Sequence, residues 1–197
     1  MSNTSATGGY LTPSSNEGTG PLTLTQFLQK MIAGISGYNG TLVRPAWQIE
    51  DPKQPDILVN WIAFGITQNT PDANAWTGYD AAGNFSLQRQ ESLEIQCSFY
   101  GPNAFDNIGI FRDGFQLQQN LESLRAADMG FTEIGPAIRG PDLVNERWVE
   151  RYVVVLTLVR RVVRGYSVLS FASASGTIHT DFNSQDKIIP WDATKGP

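Results

Sequence analysis

One run of β-branched residues constrains the fold of this chain more than any other part of its sequence. Arg147–Arg164 reads Arg-Trp-Val-Glu-Arg-Tyr-Val-Val-Val-Leu-Thr-Leu-Val-Arg-Arg-Val-Val-Arg, which predicts a long β-strand. Its middle, Tyr152–Val159, is apolar at both parities, and successive side chains of a strand point to opposite faces of the sheet. Both faces therefore need a cover. Since a helical layer covers one face, the second cover must be another layer of this chain or another subunit.

The composition is that of one globular domain with tails. The chain has 197 residues, of which 41% are hydrophobic, and this is enough for one sizeable core. No apolar run has the length of a bilayer span, and the N-terminus lacks the basic start and apolar core of a signal peptide. We therefore expect no contact with a membrane and synthesis in the cytosol.

Charge and the scarcity of Cys, His and Lys narrow the classes of function. A formal net charge of −5 argues against binding nucleic acid through its phosphates, because that requires clustered cations. A single cysteine, Cys97, excludes an intrachain disulfide and a multi-cysteine metal site, and the single histidine, His179, argues against a histidine-based metal centre. Between Lys53 and Lys187 arginine is the only basic residue, which either indicates subunit interfaces or reflects compositional drift.

Apolar periodicity predicts helices against the sheet. The apolar residues of Leu24–Ile35 form one helical stripe, and Thr23 with Gln26 has the pattern of a capping box at its start. A second helix is predicted over Ala104–Phe115 and a third helical series over Gln118–Asp128. These helices supply one cover for the long strand.

Further strands are predicted at Thr41–Gln48, Ile57–Gln68, Phe85–Tyr100 and Phe131–Ile134. Phe85–Tyr100 alternates between apolar and polar residues, which places Cys97 on the core face and argues against a catalytic role for it. The order strand, helix, strand after residue 85 is a β-α-β connection, expected to be right-handed if its strands are parallel.

No pattern in the sequence indicates catalysis or a cofactor. A phosphate-binding glycine loop is absent, and His179 is far in sequence from any nucleophile that it could activate. Glu91 and Glu94, with Asp72, are the only candidate acids of a metal-dependent nuclease, and no lysine lies near them. A sheet surface facing solvent or another subunit is the alternative role of the two glutamates. We assign no catalytic, cofactor-binding or metal-binding residue.

Arg160, Arg161 and Arg164 form the densest basic cluster. Strand alternation places Arg161 on one face and the other two on the opposite face, which weakens a nucleic-acid groove. Strand-end arginines that keep an apolar run soluble are one interpretation, and salt bridges between subunits are another.

Both ends of the chain differ in composition from the middle. Residues 1–21 are rich in Ser, Thr, Gly and Asn and are expected to be disordered unless another surface orders them. Residues 171–197 are polar with isolated apolar side chains that resemble anchors. The predicted subunit or partner interface thus comprises Arg160, Arg161, Arg164, Glu91, Glu94, Ile188, Ile189 and Trp191.

Several phrases in order resemble one protein family. They are Leu-Val-Arg-Pro-Ala-Trp-Gln at 42–48, Trp-Ile-Ala-Phe-Gly-Ile-Thr at 61–67, Leu-Glu-Ile-Gln-Cys-Ser-Phe-Tyr-Gly-Pro-Asn-Ala at 93–104, Phe-Arg-Asp-Gly-Phe-Gln-Leu-Gln-Gln-Asn at 111–120, and the Arg-Trp-Val strand ending in Arg-Arg-Val-Val-Arg. Together they are similar to the phage neck or tail-terminator proteins of contractile-tailed phages. The resemblance runs from about residue 22 to 170 and leaves both tails outside it.

The resemblance implies an α+β fold, an α/β sandwich in which a mixed, mostly antiparallel sheet packs against two to three helices. The domains would be an extended N-terminal arm at 1–21, a tail-terminator-like domain at 22–170 and an extended C-terminal arm at 171–197. It implies a non-enzymatic virion protein, assembled in the bacterial cytoplasm, that forms a ring of six copies. The ring would cap the tail tube, contact the head-completion connector, with the sheath as a further candidate partner, and let DNA pass without specific binding.

Two alternatives stay open from the sequence. One is another tail component, such as a tube-completion or baseplate subunit. The other, from a different class, is a divergent metal-dependent nuclease that uses Glu91 and Glu94.

Overall fold

A long antiparallel pair of strands forms the centre of the fold. The computed structural model describes residues 9–16, 21–48, 53–79, 84–144, 146–168, 173–182 and 185–194. In chain order the elements are β1 (Ser15–Asn16), α1 (Pro21–Ser36), a 3-10 turn (Gly40–Leu42), β2 (Val43–Pro45), β3 (Trp61–Pro71), β4 (Trp76–Tyr79), β5 (Phe85–Tyr100), α2 (Ala104–Gly114), α3 (Gln118–Ala126), β6 (Met129–Ile134), β7 (Ile138–Arg139), β8 (Asp142–Val144), β9 (Arg147–Val149), β10 (Arg151–Tyr166), β11 (Ser173–Phe182) and β12 (Gln185–Thr194).

The main sheet is built on the ladder between β5 and β10. The two strands pair antiparallel over their whole length, from Arg151 opposite Tyr100 to Tyr166 opposite Phe85. On the far side of β5 lie β3 and β4, and β2 pairs with β3 in the parallel direction. On the far side of β10 lie β1, β6 and β7, all antiparallel to it. The sheet is mixed and mostly antiparallel, and with three helices it confirms the expected α+β class.

The connection from β5 through α2 and α3 to β6 is a β-α-β unit with β10 inserted between its strands. Because β5 and β6 both run antiparallel to β10, they are parallel to each other on its two sides. The predicted β-α-β connection is present, although its strands are not neighbours.

The long strand begins later than the sequence predicts. Arg147–Val149 forms β9, which pairs with β8 in a separate two-stranded sheet, and the chain turns at Glu146, whose φ is 62°. β10 then starts at Arg151 and extends to Tyr166. The β-branched run is therefore divided between two sheets.

Three other predicted boundaries are wrong. Thr41–Gln48 is a 3-10 turn followed by a strand of three residues, with the Asn39 side chain accepting a hydrogen bond from the Thr41 amide. The strand predicted from Ile57 begins at Trp61. Helix α1 begins at Pro21, so the Thr23 and Gln26 pattern lies inside the helix and is not its cap. Proline suits a first helical position because its missing N–H has no partner there.

The strand Phe85–Tyr100 is confirmed at both ends, and its odd-numbered residues from Leu93 to Phe99 are at most 1% exposed. They pack with the even-numbered residues of β10 and with one side of each helix. This core contains Leu28 and Ile32 of α1, Ile95, Cys97 and Phe99 of β5, Ile108 and Phe111 of α2, Leu124 of α3, and Val154, Leu156 and Leu158 of β10. The helices thus cover one face of the central ladder.

The opposite face of the ladder is not covered by any helix within the described ranges. Val155 and Thr157 of β10 are half-buried there, and Val159 is 38% exposed. We define the open face as Val155, Thr157 and Val159 of β10, Glu94 and Gln96 of β5, and Glu133 of β6, which adjoin one another in the ladder register. The second cover that the sequence requires is therefore not one of these helices.

Two residues of the N-terminal segment pair with the end of β10, which gives them a surface to lie on. Ser15 and Asn16 pair with Gly165 and Arg164, and the Ser14 amide donates to the Gly165 carbonyl at 2.8 Å. Residues 1–8 and 17–20 lie outside the described part of the chain. None of the described helices is long and apolar enough to cross a membrane.

The packing predicts a large contrast between two phenylalanines of α2. Phe111 is fully buried and its ring centroid lies 5.4 Å from that of Phe99, whereas Phe105 is 63% exposed. Phe111→Ala is expected to lower the free energy of unfolding by about 3–5 kcal/mol because it leaves a cavity. Phe105→Ala, the matched control, is expected to lower it by less than about 1 kcal/mol. Urea unfolding measures both, and equal losses would contradict the assigned core.

Candidate functional site

Two residues predicted at an interface, Arg160 and Glu91, are paired with each other inside the chain. They lie opposite each other in the ladder, with Arg160 Nη2 2.7 Å and Nε 2.9 Å from Glu91 Oε2. Asn69 Nδ2 donates to the same oxygen at 3.2 Å. The side chains are 15% and 7% exposed. This buried ion pair connects β3, β5 and β10, and a partner subunit would meet little of either charge.

The sequence contained a signal for this burial. Glu91 has the same strand parity as the core residues Leu93 and Ile95, and Arg160 has the parity of Leu158. A charge at a core position requires a partner, because an isolated buried charge is strongly unfavourable. Which partner it has depends on the strand register, which the sequence does not specify.

The other two arginines differ in their surroundings. Arg161 Nη2 lies 2.8 Å from Asp128 Oδ2 in an ion pair whose side chains are 43% and 61% exposed. Arg164 is half-buried where β10 pairs with Asn16. The predicted division of the cluster by strand parity agrees with the buried Arg160 and the exposed Arg161.

Glu94 lies on the open face together with a second carboxylate. It sits opposite Thr157, and Glu133 of β6 sits opposite the same Thr157 from the other side. Within the described ranges neither glutamate has a hydrogen-bond or ion-pair partner. Two like charges therefore flank Thr157 on this face. No pattern in the sequence singled out Glu133.

The predicted C-terminal anchors lie on a β-hairpin that we call the arm, consisting of β11 and β12. Its register places Ile178 opposite Ile189 and Gly176 opposite Trp191. Ile178 is 50%, Ile189 41% and Trp191 44% exposed. The side chain of Ile188 lies outside the described part of the chain. The C-terminal tail, for which the sequence indicates no partner strand, therefore pairs with itself as a hairpin.

Within the arm, the Trp191 ring of β12 packs on the backbone of β11 at Gly176. A Cβ on Gly176 would lie 2.7 Å from Trp191 Nε1, so the indole rests directly on the glycine backbone. The two residues face each other across the hairpin. Gly176 therefore permits Trp191 to lie along the same surface as Ile178 and Ile189.

A polar and aromatic cluster that sequence reasoning missed closes one end of the sheet. Arg151 Nη1 lies 2.7 Å from Asp142 Oδ2, and the Tyr100 hydroxyl donates to the same carboxylate at 3.4 Å. The rings of Trp61 and Tyr100 are stacked with centroids 4.2 Å apart. Burial raises the pKa of Tyr100. These contacts attach the β8–β9 hairpin to the end of β5 and β10. They join residues distant in sequence, so they follow only once the strand register is known.

Trp47 lies beside that cluster with its side chain exposed. Its backbone φ is 55°, its side chain is 71% exposed, and its ring lies over Gly65, where a Cβ would overlap it. A shallow cleft of about 280 Å³ separates this ring from Trp61 and Tyr100. The sequence shows the tryptophan but not the glycine that it rests on, because the two are joined only in the folded chain.

The candidate acids do not form a metal site in the structure. No group of three or more Cys, His, Asp or Glu residues in the described ranges is placed to hold a metal ion. Glu91 is engaged by Arg160, and Asp72 accepts a hydrogen bond from the Gln90 amide at 3.2 Å. Two of the three candidate acids, Glu91 and Asp72, are therefore held by contacts within the chain.

The buried ion pair predicts unequal effects of the same substitution at neighbouring positions. Arg160→Met leaves the buried Glu91 carboxylate without its cation and with only the Asn69 amide to donate to it, and we expect a loss of about 3–5 kcal/mol in the free energy of unfolding. Arg161→Met removes only an exposed ion pair, which is worth about 0–1 kcal/mol. Chemical denaturation at neutral pH compares them. A similar small loss for both would show that the Arg160 pair is not buried in solution.

Cys97 should be inert to thiol reagents in the native protein. It is fully buried, and burial raises its pKa to about 12. Its thiolate fraction at pH 8 is then on the order of a thousandfold below that of an exposed cysteine. We expect negligible labelling by a maleimide until denaturant is added, measured by mass spectrometry. Rapid labelling of the native protein would contradict the assigned core position.

The chain is similar to a family of known proteins. A search of curated proteins returned no match. A scan against protein-family models matches residues 22–181 to a family described as phage neck terminator protein. The matched residues include the strands from β2 to β10, α1 except its first residue, α2, α3 and most of β11. Because the match covers most of the chain, this protein belongs to the phage neck terminator family.

Proposed function

We propose that this protein is the subunit of a ring of six copies that caps the tail tube of a contractile-tailed phage and joins it to the head-completion connector. The observation that carries the proposal is the family match over residues 22–181. Membership of that family supports a structural role in the neck of the virion. The ring, its stoichiometry and its partners are the proposed part.

The open face supports assembly on physical grounds. Val155 and Thr157 are half-buried and Val159 is 38% exposed, on a strand that is apolar at both parities. A closed ring uses heterologous contacts, so each subunit presents two different surfaces. A specific contact needs about 1,000 Å² of buried surface or more. The open face is one surface available for such a contact.

The charge of the chain suits a channel through which DNA moves. The formal net charge is −5 and the pI is about 4.8. Phosphates are held by clustered cations, and an acidic ring would not retain the DNA that passes through it. We therefore propose a non-enzymatic role in which shape and interfaces, rather than binding of DNA, determine function in the virion.

Deletion of the gene tests this role. A terminator stops tail polymerisation, so its loss is expected to give tails of uncontrolled length that are not joined to heads. Electron microscopy measures tail length and the fraction of joined particles, and wild-type protein supplied in trans should restore both. Tails of normal length joined to heads in the deletion would contradict the proposal.

A further inference from the structure

The β8–β9 hairpin exposes two large apolar side chains beside each other. Leu143 and Trp148 lie opposite each other in its register, and they are 60% and 71% exposed. Asp142 and Val149 share the other side of the hairpin, which packs on the domain, since Val149 is 7% exposed and Asp142 is held by Arg151. The hairpin therefore presents an apolar surface that the described part of its own domain leaves exposed.

An acidic residue lies at the turn of the hairpin, next to this apolar surface. Glu146 is exposed two residues before Trp148, and its carboxylate has no hydrogen-bond or ion-pair partner among the residues that the structure describes. Arg147 has the strand parity of the buried Val149, which places it on the other side. We call Leu143, Glu146 and Trp148 the knob. It is apolar and carries one negative charge.

The cleft beside Trp47, which we call the aromatic cleft, has the complementary character. Its walls are the exposed Trp47 ring and the stacked rings of Trp61 and Tyr100. The other described residues that line it are neutral or cationic, and they are Arg44, Pro45, Ala46, Gln48, Gln54 and Ala63. Arg44 donates through Nε and Nη1 to two backbone carbonyls, which leaves its Nη2 for a ligand. The cleft therefore suits a group that is apolar and accompanied by an anion.

The size and position of the aromatic cleft fit one side chain of a neighbouring subunit. Its volume of about 280 Å³ is just below the roughly 300–1,000 Å³ of pockets that hold drug-sized ligands, so it suits one large side chain. Trp61 and Ala63 lie opposite Tyr100 and Ser98, which have the strand parity of Gln96, so the cleft is on the same side of the sheet as the open face. Aromatic side chains that fill such pockets contribute most of the binding energy of many protein interfaces.

We infer that the knob of one subunit inserts into the aromatic cleft of a second copy of this chain, with Trp148 between the aromatic walls and Glu146 against Arg44 of the partner subunit. A second copy is favoured over the subunit's own cleft because Trp148 is 71% exposed and is not among the residues that line that cleft. Knob and cleft are different surfaces, so the contact is heterologous and repeats around a ring. The inference rests on the ring of the proposed function and gives its interface one anchor.

Cross-linking between two differently tagged chains tests the contact without removing its anchor. One chain carries Leu143→Cys, beside Trp148, and the other carries Gln54→Cys at the exposed rim of the cleft, while the native Cys97 is fully buried. The chains are co-expressed, purified with tail tubes present, and treated with a short bismaleimide. We expect a covalent heterodimer carrying both tags. Arg147→Cys replaces Leu143→Cys as the matched control, because it is exposed on the other side of the hairpin, and it should give several-fold less product.

The outcomes separate this contact from the ring itself. Assembled rings that give no heterodimer, or as much from the control as from Leu143→Cys, overturn the inference. Cross-linking only within one chain that carries both cysteines also overturns it, because it would place the knob on its own cleft. In each case the ring would stand, whereas a protein that stays monomeric even on tail tubes would overturn the proposed function together with this contact.

A double-mutant cycle tests the same contact through assembly. Trp148→Ala and Trp47→Ala each remove one aromatic ring from it, and each should lower the assembled fraction about tenfold or more. Because the two rings act in one contact, the double variant should assemble no worse than the poorer single variant. Trp76→Ala, the control at an exposed tryptophan of β4, should leave assembly unchanged. Sedimentation with tail tubes measures the assembled fraction, and urea unfolding checks that each variant folds. Losses that add in the double variant, or wild-type assembly of Trp148→Ala, would contradict the contact.

Discussion

The ladder between β5 and β10 is the interaction on which the rest of this structure depends. Sixteen residues of each strand pair in one register, and that register sets which side chains meet the helices and which remain open. A shift by one residue would turn the core residues Ile95 and Leu156 to the other face, so burial of one face fixes the pairing. The buried pair of Arg160 and Glu91 fits only this register and adds to its specificity.

The same ladder leaves one face of the sheet without a helical cover. The three described helices all lie on one face, and the opposite face retains exposed Val159 with Glu94 and Glu133, for which the described ranges supply no partner. An apolar surface with carboxylates at its edge is soluble in a free subunit and has complementary chemistry for a partner.

Local sequence patterns predicted those strands and helices that depend on residues near one another in the chain. The alternation of Phe85–Tyr100 and the apolar stripes of α1 and α2 predicted one strand at its observed ends and two helices to within a few residues. The division at Glu150 was missed because the residues on both sides of it, Val149 and Tyr152, have the same high β-propensity. Three contacts join residues that are distant in sequence, and predicting them requires knowledge of the strand register. They are the ion pair of Glu91 with Arg160, the hydrogen bond of Tyr100 with Asp142, and the packing of the Trp47 ring over Gly65. The family was also accessible from the sequence, through phrases that lie mostly in strands and helices.

The most direct test of the proposed ring is an image average of the head-proximal end of assembled tails. We predict a closed ring of six subunits there, with the helices of each subunit on one side of its sheet and density from the neighbouring subunit over its open face. A ring whose open faces are bare to solvent would contradict the role given to the ladder's second face. Density for this protein at the opposite end of the tail would contradict its placement in the neck.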